Sequence, residues 1–209
     1  MRQQNKNTEK QKKESPITRL EKIHPHRMLL YLATFGSCLI FLFMVMAYSF
    51  SRAEEDMISF NMPKSFVVSL VLLLFSSYTI SKALPAFKKD NIKELKRALG
   101  LTMLFGLSFT ISQYIGWYEL NKSGIYLSGK SSGAYLYVIS GLHVLHLAGA
   151  LVFITMAYTK VSSVSLDPVK ALIMITDPYQ KLKIEMLTFY WHFMDALWVF
   201  LFFYFLFSF

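Results

Sequence analysis

The sequence is nearly without cysteine. Its single thiol, Cys38, lies inside an apolar run, which excludes a disulfide framework and a cysteine-based metal site. Residues 1–27 lack both an apolar core and a small-residue cleavage site, so no signal peptide is expected, and Glu9, Glu14 and Glu21 argue against a transit peptide. No internal repeat of the kind that builds an inverted-repeat transporter is visible. Charge is scarce where it would matter most: the stretch Met28–Phe50 holds 23 residues and not one ionisable Asp, Glu, Lys or Arg.

What the chain does contain is apolar surface. Of 209 residues, 54% are hydrophobic, among them 19 Phe, 12 Tyr and 11 Met. A soluble domain of this size cannot bury that much, whereas uncharged runs near 20 residues match a bilayer core of ~30 Å. The net charge of +9 would suit a nucleic-acid partner, but the cations sit between the apolar runs, where membrane topology puts them, so no nucleic acid is expected.

Residues 1–27 form a polar, basic tail, and 28–209 a membrane domain. Five spans are expected, at Met28–Phe50, 66–84, Ala98–Leu120, Gly133–Tyr158 and Ile184–Phe209. The intervening segments are read as loops, including 159–183 with turn signals at Asp167-Pro168 and Asp177-Pro178. His24-Pro25-His26 is read as a solvated pair at the membrane edge. The tail and the loops after spans two and four hold 18 of the 22 Lys and Arg residues. The positive-inside rule then places the amino terminus in the cytoplasm and the carboxyl terminus outside. The expected fold is an all-α integral membrane bundle of five transmembrane helices.

Within this apolar background a few polar residues stand out. Gly141-x-His143-x-x-His146-x-x-Gly149 sets two imidazoles on one side of span four, with glycines allowing close backbone approach. Span five carries His192 and Asp195, three apart and so on one helix face. Counting ~1.5 Å per residue from the membrane edges puts His143 about 15 Å, His146 about 20 Å, His192 about 18 Å and Asp195 about 14 Å below the outer surface. All four fall in one layer of two neighbouring helices. A carboxylate near the bilayer centre costs ~2.5–3.5 kcal/mol on insertion scales, so it needs a partner or a role. Three readings fit: a polar lock in which the four groups satisfy one another, a haem b held by His143 or His146 and His192, and a proton relay. A metal hydrolase is disfavoured by the ligand set, and a small transporter by the absence of broken helices. Ser76-Ser77 on span two and Gln113 on span three read as interhelical hydrogen-bonding groups, near lipid headgroups or apart from them. Trp191 and Trp198 shape packing or a lipid-facing surface. Arg97 and Lys183 are suited to lipid phosphate.

At these residues the chain resembles a known family. Tyr-Trp-His-Phe-x-Asp-x-x-Trp-x-Phe-Leu-Phe at Tyr190–Phe202 is similar to the terminal-helix signature of subunit III of haem-copper oxidases. Gly141-x-His143-x-x-His146 resembles the penultimate-helix motif Gly-x-His-Gly-x-His, with Val144 in place of its second glycine. Gly133-Ala134, Gln113 with Glu119, and Leu74-Phe75-Ser76-Ser77 also look like family positions. Five spans match the short form, which lacks the first two of seven helices.

The resemblance implies a non-redox accessory subunit of a respiratory terminal oxidase in a bacterial cytoplasmic membrane. Haem and copper then belong to partner subunits, and this chain carries none. It would pack against catalytic subunit I in a complex with subunit II, bind phospholipid, support proton uptake and protect subunit I during turnover. Other respiratory complexes are further candidate partners. The resemblance favours the polar-lock reading of His143, His146, His192 and Asp195 and disfavours haem. Two positions depart from the family: Ser37 stands where a first-helix carboxylate is usual, and Gly116 where a glutamate often follows Gln113. Both departures favour a structural role over a proton-conducting one.

Overall fold

A computed structural model of the chain describes residues 25–54, 63–128 and 131–208. The expected tail up to His24, and Glu55, Asp56 and Lys130 in the expected loops, lie outside the described residues. Among the described residues the regular structure is helical: α1 (Pro25–Glu54), α2 (Lys64–Ser81), α3 (Ala83–Lys88), α4 (Ile92–Lys122), α5 (Ser131–Val164), α6 (Pro168–Thr176) and α7 (Pro178–Ser208). Five segments, with α2 and α3 counted as one, are long and apolar enough to cross a bilayer, as the hydropathy of the sequence requires. The 31 residues of α4 rise ~46 Å, so its ends project beyond a ~30 Å hydrocarbon core.

The polar connections are more helical than expected. The basic segment after span two holds α3 and the first turns of α4, whose start is fixed by Asn91. Its side chain accepts from the Glu94 amide at 3.1 Å and donates back to the Glu94 carboxylate at 3.2 Å, a reciprocal cap. The segment 159–183, read above as a loop, is corrected: α5 runs on to Val164, α6 fills the middle and α7 begins at Pro178. Both Asp-Pro pairs are helix starts. Asp167 accepts from the amides of Val169 and Lys170, and proline at the first helical position has neither an amide to satisfy nor a φ to find.

Asp177 serves α7 in the same way. Gln180 donates to its carboxylate at 3.0 Å and the Tyr179 amide at 2.9 Å, and these bonds hold its pKa below the usual carboxylate value. A lowered pKa means the cap is intact above the ordinary value and is lost only as the pH falls through the lowered one. The protection factor of the Tyr179 amide against hydrogen exchange should therefore fall only in acid in the parent, and be low at every pH in Asp177→Ala.

α7 is the axis of the bundle. It packs on α2 and α5 and also touches α1, α3 and α6, while α2 lies along α4 and α1 lies along α5. Of the apolar window of α7, 44% is buried, against 17% for α1. The tightest approaches of one spanning helix to a glycine of another are on α4. A Cβ at Gly116 would stand 2.4 Å from Cε1 of Phe66, and one at Gly106 would stand 3.0 Å from Cη2 of Trp191. Close approach was expected instead at Gly141 and Gly149. That is corrected too: the nearest atom to a Cβ at Gly141 is 3.8 Å away, and Gly149 and Gly36 face open space.

Candidate functional site

Residues 191, 195 and 198 repeat at four and three along α7 and so share its buried stripe. Trp191 is 1% exposed, Asp195 5% and Trp198 0%, so both tryptophans pack in the core and neither offers a lipid-facing surface. Next to this stripe, His192 turns toward α2. There the adjacent pair Ser76 and Ser77 meets the adjacent pair Trp191 and His192. The Trp191 indole N–H donates to Ser76 Oγ at 2.6 Å, and Ser77 Oγ is bonded to His192 Nδ1 at 2.9 Å. Two consecutive serines thus engage two consecutive polar side chains of the central helix.

The same device recurs around the bundle. Thr79 and Thr102 join α2 to α4 at 2.8 Å, and Ser65 Oγ donates to Glu119 across the same pair of helices at 2.5 Å. The Trp117 indole donates to Ser140 Oγ at 2.9 Å and joins α4 to α5. Ser37 Oγ and His146 Nε2, 3.2 Å apart, join α1 to α5. Ser49 and Tyr204 join α1 to α7, and Tyr190 Oη–H donates to the His146 carbonyl between α7 and α5. At the basic face Arg27 pairs with Glu185, tying the start of α1 to that of α7. Every strongly packed pair of spanning helices carries at least one side-chain hydrogen bond.

Against this pattern each expected site residue can be placed. The α5–α7 packing sets the His143 ring against Trp198, three residues beyond Asp195, but no hydrogen bond links His143, His146, His192 and Asp195 to one another. The His143 ring is closed in by aromatics, with centroids 5.0 Å from Trp198, 5.6 Å from Phe109 and 6.4 Å from Phe41. Neither of its nitrogens has a hydrogen-bond partner, nor has Oδ2 of Asp195, the Trp198 indole N–H or either end of the Gln113 amide. His146 is bonded through both nitrogens, to Ser37 and to the Leu142 carbonyl at 2.8 Å. Mutual satisfaction across α5 and α7 is thus replaced by bonds from His192 to α2 and from His146 to α1. The reason is rotational. Depth along a helix follows from residue counting, but the azimuth that sends two imidazoles to different neighbours does not.

Ser76 and Ser77 bond between helices as expected, and Gln113 does not. Arg97 is exposed, and the Lys183 ammonium lies 4.5 Å over the Tyr179 ring. The histidines do not fit an axial haem pair, because His143 is walled by three aromatic rings and both nitrogens of His146 are occupied. Among the described residues no group of three His, Cys, Asp or Glu could hold a metal ion. The contributions of Ser37, Ser49, Ser65, Ser140 and Thr102 were missed. Their only signal was a hydroxyl inside an apolar run, which on a helix can as well bond its own backbone.

The Ser77–His192 bond can be weighed directly. A double-mutant cycle with Ser77→Ala and His192→Ala should give a coupling of ~0.5–1.5 kcal/mol in detergent unfolding, the range of intramembrane hydrogen bonds. The same cycle between Ser77 and His146 should give none.

These features define a multi-pass membrane protein whose intramembrane polar groups serve helix packing. The family described as cytochrome c oxidase subunit III matches residues 53–208, and the chain belongs to that family. Its relatives include probable cytochrome c oxidase subunit 3 of Mycobacterium leprae, 28% identical over 142 residues, which are 68% of this chain and 65% of that one. Cytochrome c oxidase subunit 3 of Corynebacterium diphtheriae is 27% identical, over 68% of this chain and 64% of its own. Probable cytochrome c oxidase subunit 3 of Rickettsia prowazekii is 30% identical over 68% of this chain and 46% of its own. The match spans less than two thirds of the length of these relatives.

Proposed function

We propose that the chain is a non-redox accessory subunit of a bacterial respiratory haem-copper oxidase. It sits in the cytoplasmic membrane with its amino terminus inside, as the cation distribution favours. It packs against catalytic subunit I, in a complex with subunit II, where haem and copper reside. His143, His146, His192 and Asp195 serve the bundle together with the serines that hold it. The observation that carries this reading is how the polar groups are used: imidazole, indole and hydroxyl groups inside the membrane bond helix to helix and, among the described residues, leave no converging set of ligands. With Ser37 in place of a first-helix acid, any support of proton uptake acts through subunit I and bound phospholipid and not through a carboxylate on α1. Oxidase isolated without this chain should keep its full haem and copper content and lose activity faster during turnover. Loss of haem in proportion to loss of the chain would contradict the reading.

A further inference from the structure

The short helix α6 is apolar nearly all round, with Lys170 as its one charged residue. Such a helix is ordinarily buried on every side. Here Met174 alone is buried, where it joins the main core. Val169, Leu172 and Ile173, at i, i+3 and i+4, form one outward stripe. They are 67%, 64% and 63% exposed, and Leu166, just before the helix, is 85% exposed. Acyl chains end short of this stripe. Six residues of α5 beyond Tyr158 and six of α7 before Ile184 carry α6 ~9 Å past the hydrocarbon edge, at ~1.5 Å per residue. Those turns are polar, with Lys160, Ser162 and Ser163 on one side and Gln180, Lys181 and Lys183 on the other. The headgroup layer on each side of a ~30 Å core is only about 5–8 Å deep.

We propose that α6 docks against a partner subunit of the complex, on an apolar surface at its cytoplasmic side that is rimmed by carboxylates. The proposal rests on the subunit reading above. The rim follows from charge. Lys160, Lys170, Lys181 and Lys183, on α6 and the turns that flank it, are all exposed. The acids of the same stretch are already engaged: Asp167 and Asp177 cap α6 and α7, and Glu185 pairs with Arg27. Of the four lysines, Lys170 has a carboxylate beside it, Asp167 at 3.4 Å. The border of the stripe is therefore positive, and a partner with carboxylates round an apolar patch complements it. Three or four side chains fall well below the ~1,000 Å² of a stable interface, so this contact adds to the one that the spanning helices make and does not replace it.

The test is labelling by a water-soluble maleimide on a Cys38→Ala background, Cys38 being the one thiol of the chain. Leu172→Cys is labelled in the intact complex and in the separated full chain, both in liposomes of the same lipids. The expected result is rapid labelling of the separated chain and about tenfold slower labelling in the complex, ~1.4 kcal/mol of occlusion. Ser163→Cys, on the exposed polar turn, should label rapidly in both, and Phe153→Cys, on the membrane-facing surface, slowly in both. Raising the salt concentration should weaken the protection of Leu172→Cys, because exposed charges at the rim are screened. Slow labelling of Leu172→Cys in both preparations would overturn the proposal and assign the stripe to lipid. Rapid labelling in both would overturn it and leave the stripe in water. Protection indifferent to salt would overturn the carboxylate rim. As a second variant, Leu172→Glu with Ile173→Glu should lower retention of the chain in the complex while thermal unfolding of the separated chain stays unchanged, and undiminished retention would also count against docking. The haem spectrum of the complex, read before labelling, tests the oxidase assignment separately: protection without haem would sink that assignment and keep the docking, and haem without protection would do the reverse.

Discussion

Replacing Trp191 by alanine should destabilise the bundle by about 3–5 kcal/mol, the cost of truncating a fully buried tryptophan. The residue is 1% exposed and packs where α2, α4 and α7 meet. Its ring edge would lie 3.0 Å from a Cβ at Gly106, and its N–H donates to Ser76 at 2.6 Å. Alanine empties the site and leaves a buried serine without its donor. Trp191→Phe should cost less, because it keeps most of the ring and loses one hydrogen bond of about 1 kcal/mol. Thermal or denaturant unfolding in detergent reads both. As a control, Phe153 is 64% exposed on the membrane-facing surface, and Phe153→Ala should be close to neutral. A Trp191→Ala protein as stable as that control would remove α7 from the centre of the packing.

Gly116→Val should be comparably damaging by the opposite route, overpacking. A Cβ there meets Phe66 Cε1 at 2.4 Å and Cδ1 at 2.7 Å, distances that force something to move. Phe66 has little room to move, since it is 1% exposed and stands edge-on to Trp198 at 5.8 Å. Overpacking of this kind costs ~1–3 kcal/mol or more, and here it separates α2 from α4 and disturbs Trp198. Gly149→Val, on α5, introduces a side chain into open space and should leave the unfolding of the isolated chain nearly unchanged. The pair tests a specific correction, since both glycines sit in spanning helices and only one of them is needed by the packing. Equal effects at the two positions would contradict the interhelical geometry.

The architecture was largely legible in the sequence. Uncharged runs of about 20 residues and cations confined to the gaps define five spans, because a bilayer admits few other solutions. Position along each helix axis was legible too, since rise per residue is fixed. Azimuth was not. In lipid both faces of a spanning helix are apolar, so the polar-versus-apolar stripe that orients a soluble helix is missing. Which neighbour His146 or His192 faces therefore depends on side-chain packing that the sequence does not display. The glycines failed for the same reason: Gly141 and Gly149 flank a histidine motif and drew attention, while Gly106 and Gly116 meet the large rings. The loop 159–183 was misread because Asp-Pro is as good a helix start as a turn. Ser76 and Ser77 were placed correctly as interhelical groups, but that they would meet two consecutive side chains of α7 required the structure.

The central claim is that the chain works beside redox centres without holding one. The direct measurement is the visible spectrum of material purified from native membranes through a tag on this chain, before and after the chain is separated from its partners. The account predicts haem and copper in the intact material in fixed ratio to the chain, and no Soret absorption from the separated chain. A haem band that stays with the chain and is abolished by His192→Ala, or a purification that brings down no haem-copper subunit, would contradict it.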